Sequence, residues 1–150
     1  MAPVPLAIRT AEPSDLPGLL ALYRELNPAD LPIDAEIAKA RFETIAAHPG
    51  MQLFIGLADE SPAASVTLVI IPNLTRGGAP YALIENVVTA ERYRKRGYAG
   101  ALIAHAVETA WQDGCYKVML LTGSKDPATL RFYENCGFVS DKTGYQIRRP

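Results

Sequence analysis

Four cationic side chains, Arg92, Arg94, Lys95 and Arg96, crowd a stretch reading "ERYRKRGYAGALI" over residues 91–103. From Gly97 onward the pattern is that of a helix. A helix start carries a partial positive charge and favours anions, so cations there oppose the dipole. Two readings fit. The turn is a solvated charged surface, or it seats an anion between cationic side chains and the exposed amides of a first helical turn. Gly97 lets an anion approach the backbone closely, Ala99 is also small, and Arg and Lys on the same turn complete a cradle for a phosphate or pyrophosphate. The Walker pattern GxxxxGK[ST] is absent, and "GYAG" lacks the spacing of the dinucleotide pattern GxGxxG.

Two further residues are chemically suggestive. Glu85 interrupts the apolar run "YALIENVVT" (81–89). Strand alternation places it on the face of Leu83 and Val87, where burial raises a carboxyl pKa. It fits a general base, acting directly or through water, and equally an acid paired with a cation. Tyr133 lies in "DPATLRFYENCGF" (126–138), one step round a helix from a core face expected at Ala128, Phe132 and Cys136. Its hydroxyl can reach a cleft or be bonded to backbone.

The elements that must position these groups are readable in order. "LAIRTA" (6–11) reads as a strand. A helix capped by Ser14 or Asp15 carries Leu16, Leu19, Leu20, Tyr23 and Leu26 at helical spacing. After the proline-punctuated loop 27–34, Asp34 caps a second helix running to about Ala47. Strands over 51–59 and 63–71 flank a turn at Asp59–Pro62, and a loop over 72–80 leads to the strand 81–89. A helix from about Arg96 to Asp113 follows, with Ala99, Leu102, Ile103, Ala106 and Ala110 as its apolar stripe and Gly114 as its stop. "CYKVMLLTG" (115–123) is a buried strand. Asp126, Pro127 and Gly137 mark the N-cap, first position and left-handed cap of a short helix, and "GYQIRR" (144–149) closes the chain as a strand. The order β-α-α-β-β-β-α-β-α-β-β indicates an α/β (α+β) fold, a mixed, largely antiparallel sheet with helices on both faces. Residues 81–122 should form a right-handed parallel crossover. Residues 1–150 suit one domain.

With 150 residues, 49% hydrophobic and 21% charged, and a net charge of −1, the chain has ordinary globular usage, and no nucleic-acid partner is expected. His48 and His105 are too isolated for a metal site, and no apolar run is long enough for a membrane span. "MAPVPLAIRT" lacks the pattern of a secretory signal. Cys115 and Cys136 read as small buried hydrophobes, and a cytoplasmic location is expected.

Arg94-x-x-Gly97-x-Ala99 resembles the [RQ]xxGx[GA] segment of the GNAT superfamily of acetyl-CoA-dependent N-acetyltransferases. "IRTAEPSDLPGLLAL" is similar to that family's first strand and helix, "IENVVTAERYRKRGYAGALI" to its cofactor-binding strand, turn and helix, and "DPATLRFYENCGF" to its second signature. The resemblance covers nearly the whole chain. It departs at Ala99, which replaces a glycine, and at Asp126, where the family often has asparagine. The resemblance implies transfer of an acetyl group from acetyl-CoA to an amine by direct attack in a ternary complex. The acceptor expected is a small molecule, with a peptide amine or a non-catalytic acyl-CoA-binding role as alternatives. It further implies a diphosphate on the amides of Arg94, Lys95, Arg96, Gly97, Tyr98 and Ala99, and a pantetheine arm along Val87, Val88 and Thr89, with Asp126 and Phe132 also near the cofactor. A bulge near Asn86–Val88 would free that edge and aim an amide at the thioester oxygen. Tyr133 is then the acid for the leaving thiolate and Glu85 the base for the amine, with no metal and a plausible homodimer.

Overall fold

The computed structural model describes residues 5–150. Residues 1–4, part of the stretch read above for a signal, lie outside the described residues. A five-stranded sheet runs in the order β1 (Leu6–Thr10), β2 (Met51–Ala58), β3 (Ser61–Ile71), β4 (Tyr81–Thr89) and β5 (Val118–Met119). The first four strands pair antiparallel and β5 joins β4 in parallel. The mixed, largely antiparallel sheet expected from the element order is present. Asp59 and Glu60, both with positive φ (48° and 63°), make the tight turn between β2 and β3.

Helices cover both faces. On one face α3 (Tyr98–Gln112) buries Leu102, Ile103, Ala106 and Ala110 against Phe54, Val66, Leu68, Ala82 and Ile84. On the other, α1 (Leu16–Leu26) and α2 (Ala35–Ala47) set Leu19 and Phe42 on Leu53 and Ile55. The even- and odd-numbered residues of β2 thus serve different cores, as the pleat requires. Asp34 caps α2 as expected, accepting from the amides of Glu36 and Ile37 at 3.0 and 3.1 Å. Asp15 stands at the N-cap of α1, but its carboxylate makes no cap bond to that helix and turns back instead. It holds Arg9 through two contacts of 2.6 and 3.0 Å and accepts from the Glu12 amide at 2.7 Å, tying β1 to the start of α1.

The last part of the chain differs from the expectation. The strand read over 115–123 is reduced to β5, and "GYQIRR" is not a strand; residues 139–150 have no regular secondary structure. Tyr145 and Ile147 alternate as a strand would but stand 91% and 99% exposed. Alternation records a capacity to pair, and pairing also needs a free neighbouring edge. The short helix α4 (Pro127–Asn135) forms with its expected caps. Its core face holds at Phe132 and Cys136 as expected and fails at Ala128, which is exposed; Tyr133 packs with the other two at the C-terminal end.

Candidate active site

The site begins with a fault in the sheet. Across β3 and β4, Ser65 faces Val88 and Thr67 faces Glu85, so Asn86 and Val87 together oppose Val66. This is the bulge expected near 86–88, and Asn86 takes the positive φ (53°) that asparagine tolerates. On its other side β4 pairs with β5 only at Ala82–Val118 and Leu83–Met119. Beyond Leu83 the two strands part, leaving the β4 edge over 84–89 without a ladder partner on that side.

The extra residue also inverts parity, which corrects the expected facing of Glu85. Val87 packs with the α3 core, as Ala82 and Ile84 do, while Val88 packs with Leu22 of α1. Glu85 therefore shares a face with Leu83 and Val88, not Val87. It is exposed, so the expected burial is absent. Beside it on the same face lies a hydroxyl cluster that the apolar reading of "AASVTLVII" passed over. Ser65 and Thr67 are both buried, Ser65 donates to the Phe54 carbonyl at 2.8 Å, and the Tyr23 phenol of α1 lies near both. Burial pushes the Tyr23 phenol up, and the two hydroxyls partly offset this.

At the end of β4, the Ala90 amide donates to the Ala63 carbonyl at 2.8 Å. Alternation turns the Thr89 backbone groups the other way, and the Thr89 carbonyl accepts from Arg94 Nε at 3.4 Å. Thr89 Oγ1 is buried without a hydrogen-bond partner. A single helical turn over Glu91–Tyr93 follows, then Lys95 and Gly97 both take positive φ (62° and 79°). Left-handed residues within such a turn curl successive amides into a concavity suited to anions. α3 begins at Tyr98, two residues later than its pattern suggested. Its first hydrogen bond runs from the Ala101 amide to the Gly97 carbonyl at 3.0 Å, so the amides of Ala99 and Gly100 stand ahead of the ladder. No side chain caps this helix, and a side chain at Gly97 would project into open space.

Arg92, Arg94, Lys95 and Arg96 are exposed. The Arg92 and Arg96 guanidinium groups lie over the Tyr93 ring at 4.7 and 5.4 Å, and Arg96 donates to the Arg92 carbonyl at 3.3 Å. Among the described residues the only ion pair is Arg9–Asp15, so none of the four cations is ion-paired, although Glu91 lies in the same turn and its amide donates to Glu25 Oε1 at 3.4 Å. The donor set fits a polyanion such as a diphosphate: fixed amides and mobile cations that no acid holds in an ion pair. Tyr98, placed in this set by sequence, has its ring buried in the α3 core, which confines its possible contribution to the backbone.

Tyr133 is half-buried and packs on Phe132 (ring centroids 5.1 Å) and edge-on to Phe138 (6.3 Å). The end of α4 explains the "FY…GF" pairing. Gly137 turns left-handed (φ 98°), its amide donates to the Glu134 carbonyl at 2.9 Å, and the Phe138 amide donates to the Tyr133 carbonyl at 3.1 Å. This double bond closes the helix and folds Phe138 back against Tyr133. Burial, and secondarily Cys136, pushes the Tyr133 phenol above its usual value. Phe132 lies against α3, 3.9 Å from where a Cβ on Gly100 would sit. Asp126 accepts from the Ala128 amide at 2.9 Å, which is a capping role.

A mixed sheet parted beside a bulge, and an uncapped helix following that strand, place this chain in the class of acyl-group transferases built around one strand–turn–helix unit. It matches the model of the Acetyltransferase (GNAT) family over residues 17–138 and belongs to that family. It is an acetyltransferase. The chain is 35% identical to glucosamine 6-phosphate N-acetyltransferase of Trypanosoma brucei brucei, over 90% of each chain. It is 30% identical to aminoglycoside N(6')-acetyltransferase type 1 of Serratia marcescens, over 83% of this chain and 86% of the relative. A solved structure from Agrobacterium tumefaciens strain C58, provisionally assigned as an acetyltransferase, is 53% identical and superposes with a TM-score of 0.92, covering 95% of this chain and 99% of that one. Among the described residues no helix is long and apolar enough to cross a membrane.

Proposed function

We propose that the protein transfers an acetyl group from acetyl-CoA to the primary amine of a small molecule, with an amino sugar as the favoured acceptor class. The observation that carries the donor assignment is the start of α3. Four cations outside any ion pair precede an uncapped helix whose glycine faces open space. The Arg94 amide is taken by the Glu91 carbonyl at 3.2 Å, so the amides that follow it, to Ala99, would hold the diphosphate, and the parted β4 edge at Val87 to Thr89 would take the amide-rich arm as an added strand. Thr89 Oγ1, buried and unsatisfied, is a group that a ligand at this edge can supply with a partner. The acceptor class rests on the relatives: both the glucosamine 6-phosphate enzyme and the aminoglycoside enzyme are named for amine-bearing sugars.

The thioester supplies an activated acyl carbon and a thiolate leaving group. The amine nitrogen bonds to that carbon, the carbon–sulfur bond breaks, and the sulfur leaves with its electron pair. An amide at Val87 or Val88, aimed at the developing oxyanion, contributes roughly 3 kcal/mol. Glu85, exposed on the α1 side of the sheet, takes the amine proton directly or through water. Tyr133 gives its proton to the departing sulfur. Its raised pKa keeps it protonated at neutral pH, so the acid form is present when needed. Attack and departure occur in one ternary complex, with no metal and no acyl-enzyme. We take residues 1–150 as one catalytic domain. The free thiols of Cys115 and Cys136 suit a cytoplasmic setting.

A thiol-release assay with acetyl-CoA across amino sugars, sugar phosphates, aminoglycosides, polyamines, amino acids and peptides tests this reading. Release expected with amino sugars, and seen only with peptides, would overturn the acceptor class. The homodimer implied by the resemblance belongs to the same reading. The exposed Val139, Tyr145 and Ile147 are the surface it would cover, and light scattering should return twice the chain mass.

A further inference from the structure

The sheet face that carries Glu85 is not covered along its whole length. α1 and α2 close over Leu53 and Ile55 of β2 and over Val88 and Ala90 at the far end of β4. Toward the start of β4 the cover ends. Alternation keeps Tyr81 and Leu83 on the face of Glu85. Met119 pairs with Leu83, so Lys117, two residues earlier, lies on that face as well. Glu85 and Met119 are exposed, and Tyr81, Leu83 and Lys117 are half-buried. A strip of open sheet thus runs from Glu85 back to the start of the strand, about 13 Å by strand rise.

The far end of the strip is cationic. Lys117 Nζ lies over the rings of Tyr81 and Tyr116, at 5.2 and 5.5 Å, and the Arg76 guanidinium lies over the Tyr116 ring at 5.4 Å. The two rings meet edge-on at 6.4 Å. Arg76 comes from the loop 72–80, which Asn73 ties together. The Asn73 side-chain amide donates to the carbonyls of Thr75 and Ala79 at 3.1 and 3.2 Å. Within that loop Arg76 takes φ 53°, a left-handed conformation unfavourable for a long side chain. Such strain persists only where the surroundings over-determine it. Here it brings a guanidinium beside a lysine, and among the described residues neither is in an ion pair. A ring face attracts a cation without consuming its N–H donors, so both cations keep theirs for an anion.

We propose that Arg76 and Lys117 seat a phosphate group of the acceptor, which makes the acceptor a phosphorylated amine and not a polycationic one. The assignment rests on the acetyl-transfer reading, since it takes Glu85 as the point where the amine arrives. Between Glu85 and the two cations the floor is Leu83 and Met119, an apolar surface suited to the carbon face of a sugar. The four-carbon Lys117 stem reaches in from one end, and the strip then has room for one sugar ring between an amine and a phosphate. A polycationic acceptor would set like charges against each other at that end.

Calorimetry on full-length protein loaded with CoA, titrated with glucosamine 6-phosphate and with glucosamine, reads this seat without turnover. Wild type should bind the phosphorylated sugar about a hundredfold more tightly, and Arg76→Gln and Lys117→Gln should each remove about tenfold of that preference. Initial rates with acetyl-CoA should show the same change in the ratio of kcat/KM for the two sugars, carried by KM. A merely structural role would weaken both sugars alike and leave the ratio in place. Lys117→Met keeps the stem and decides the matter if Lys117→Gln fails to fold. Equal binding of the two sugars by wild type, or a preference that survives in both variants, would overturn the proposal. Wild-type protein that binds the phosphorylated sugar but not CoA sinks the acetyl-CoA reading and leaves the anion seat standing, whereas CoA binding with no preference between the sugars sinks the seat alone.

Discussion

α3 and α4 end alike and begin differently. Each closes on a left-handed glycine, Gly114 or Gly137, with its last carbonyls satisfied by the pair of amides that follow. At their starts they part. α4 opens with Asp126 accepting the Ala128 amide at 2.9 Å and Pro127 in the first turn, so one donor is met and another is removed. α3 opens with no side-chain cap and with cations where the dipole favours anions. A helix that satisfies its own start has no donors to offer. One that leaves them open is less stable alone and gains most from a ligand. α4 makes its packing contacts at its other end, where the glycine cap folds Phe138 against Tyr133.

The sharpest way to break this comparison is to fill the open start. Gly97→Glu puts a carboxylate where the diphosphate is proposed to sit, on a residue with φ 79° and open space ahead of it. Calorimetry should show CoA binding lost, by at least about a hundredfold, from lost amide access and charge repulsion together. The left-handed backbone adds about 1 kcal/mol of strain, too little to unfold the domain. Unchanged affinity would mean that the two helix starts do not differ in function.

A smaller effect tests the other end of α4. Tyr133→Phe keeps the packing on Phe132 and Phe138 and removes the proton. Turnover should fall by about a hundredfold, the low end for a positioned general acid, with CoA affinity nearly unchanged. The raised phenol pKa also sets a direction in pH. The acid form is fully present below the usual tyrosine value of about 10 and is lost only as pH climbs through the higher folded value. The wild-type alkaline limb therefore lies above that usual value and is missing from Tyr133→Phe. Equal turnover in the two proteins removes Tyr133 from the acid role.

Both helix starts were readable in the residues, for opposite reasons. Asp126-Pro127 is a local signal, complete within three positions, and it folds as written. Arg94, Lys95, Arg96 and Gly97 form a local signal with a missing counterpart, which is why charge alone left two readings open until the family resemblance was weighed. What could not be read was parity and partnership. The facing of Glu85 failed because one extra residue at Asn86–Val87 reverses alternation beyond it. Only Ala128 departed from the face expected for α4, because the helix touches the core through its last turn and Ala128 is past the reach of that contact. "GYQIRR" failed because no described edge pairs with it. Tyr23 reads as one more apolar position of α1, and the buried hydroxyls of Ser65 and Thr67 near it lie more than 40 residues further along the chain.

The smallest effect sharpens the comparison most. Asp126→Ala removes the cap from α4 and leaves its start as open as that of α3. If an open start were enough to make a ligand site, this variant would gain affinity for anions. The turn before α4 has only Lys125 beside it, and the helix first turn is closed by Pro127, which has no amide to donate. We therefore expect a loss of about 1 kcal/mol in stability, the usual cost of an N-cap, read as a lower urea midpoint at unchanged slope. CoA affinity should stay within twofold of wild type. A large loss of affinity would place Asp126 in the cofactor site after all, and would mean that its carboxylate does more than hold the Ala128 amide.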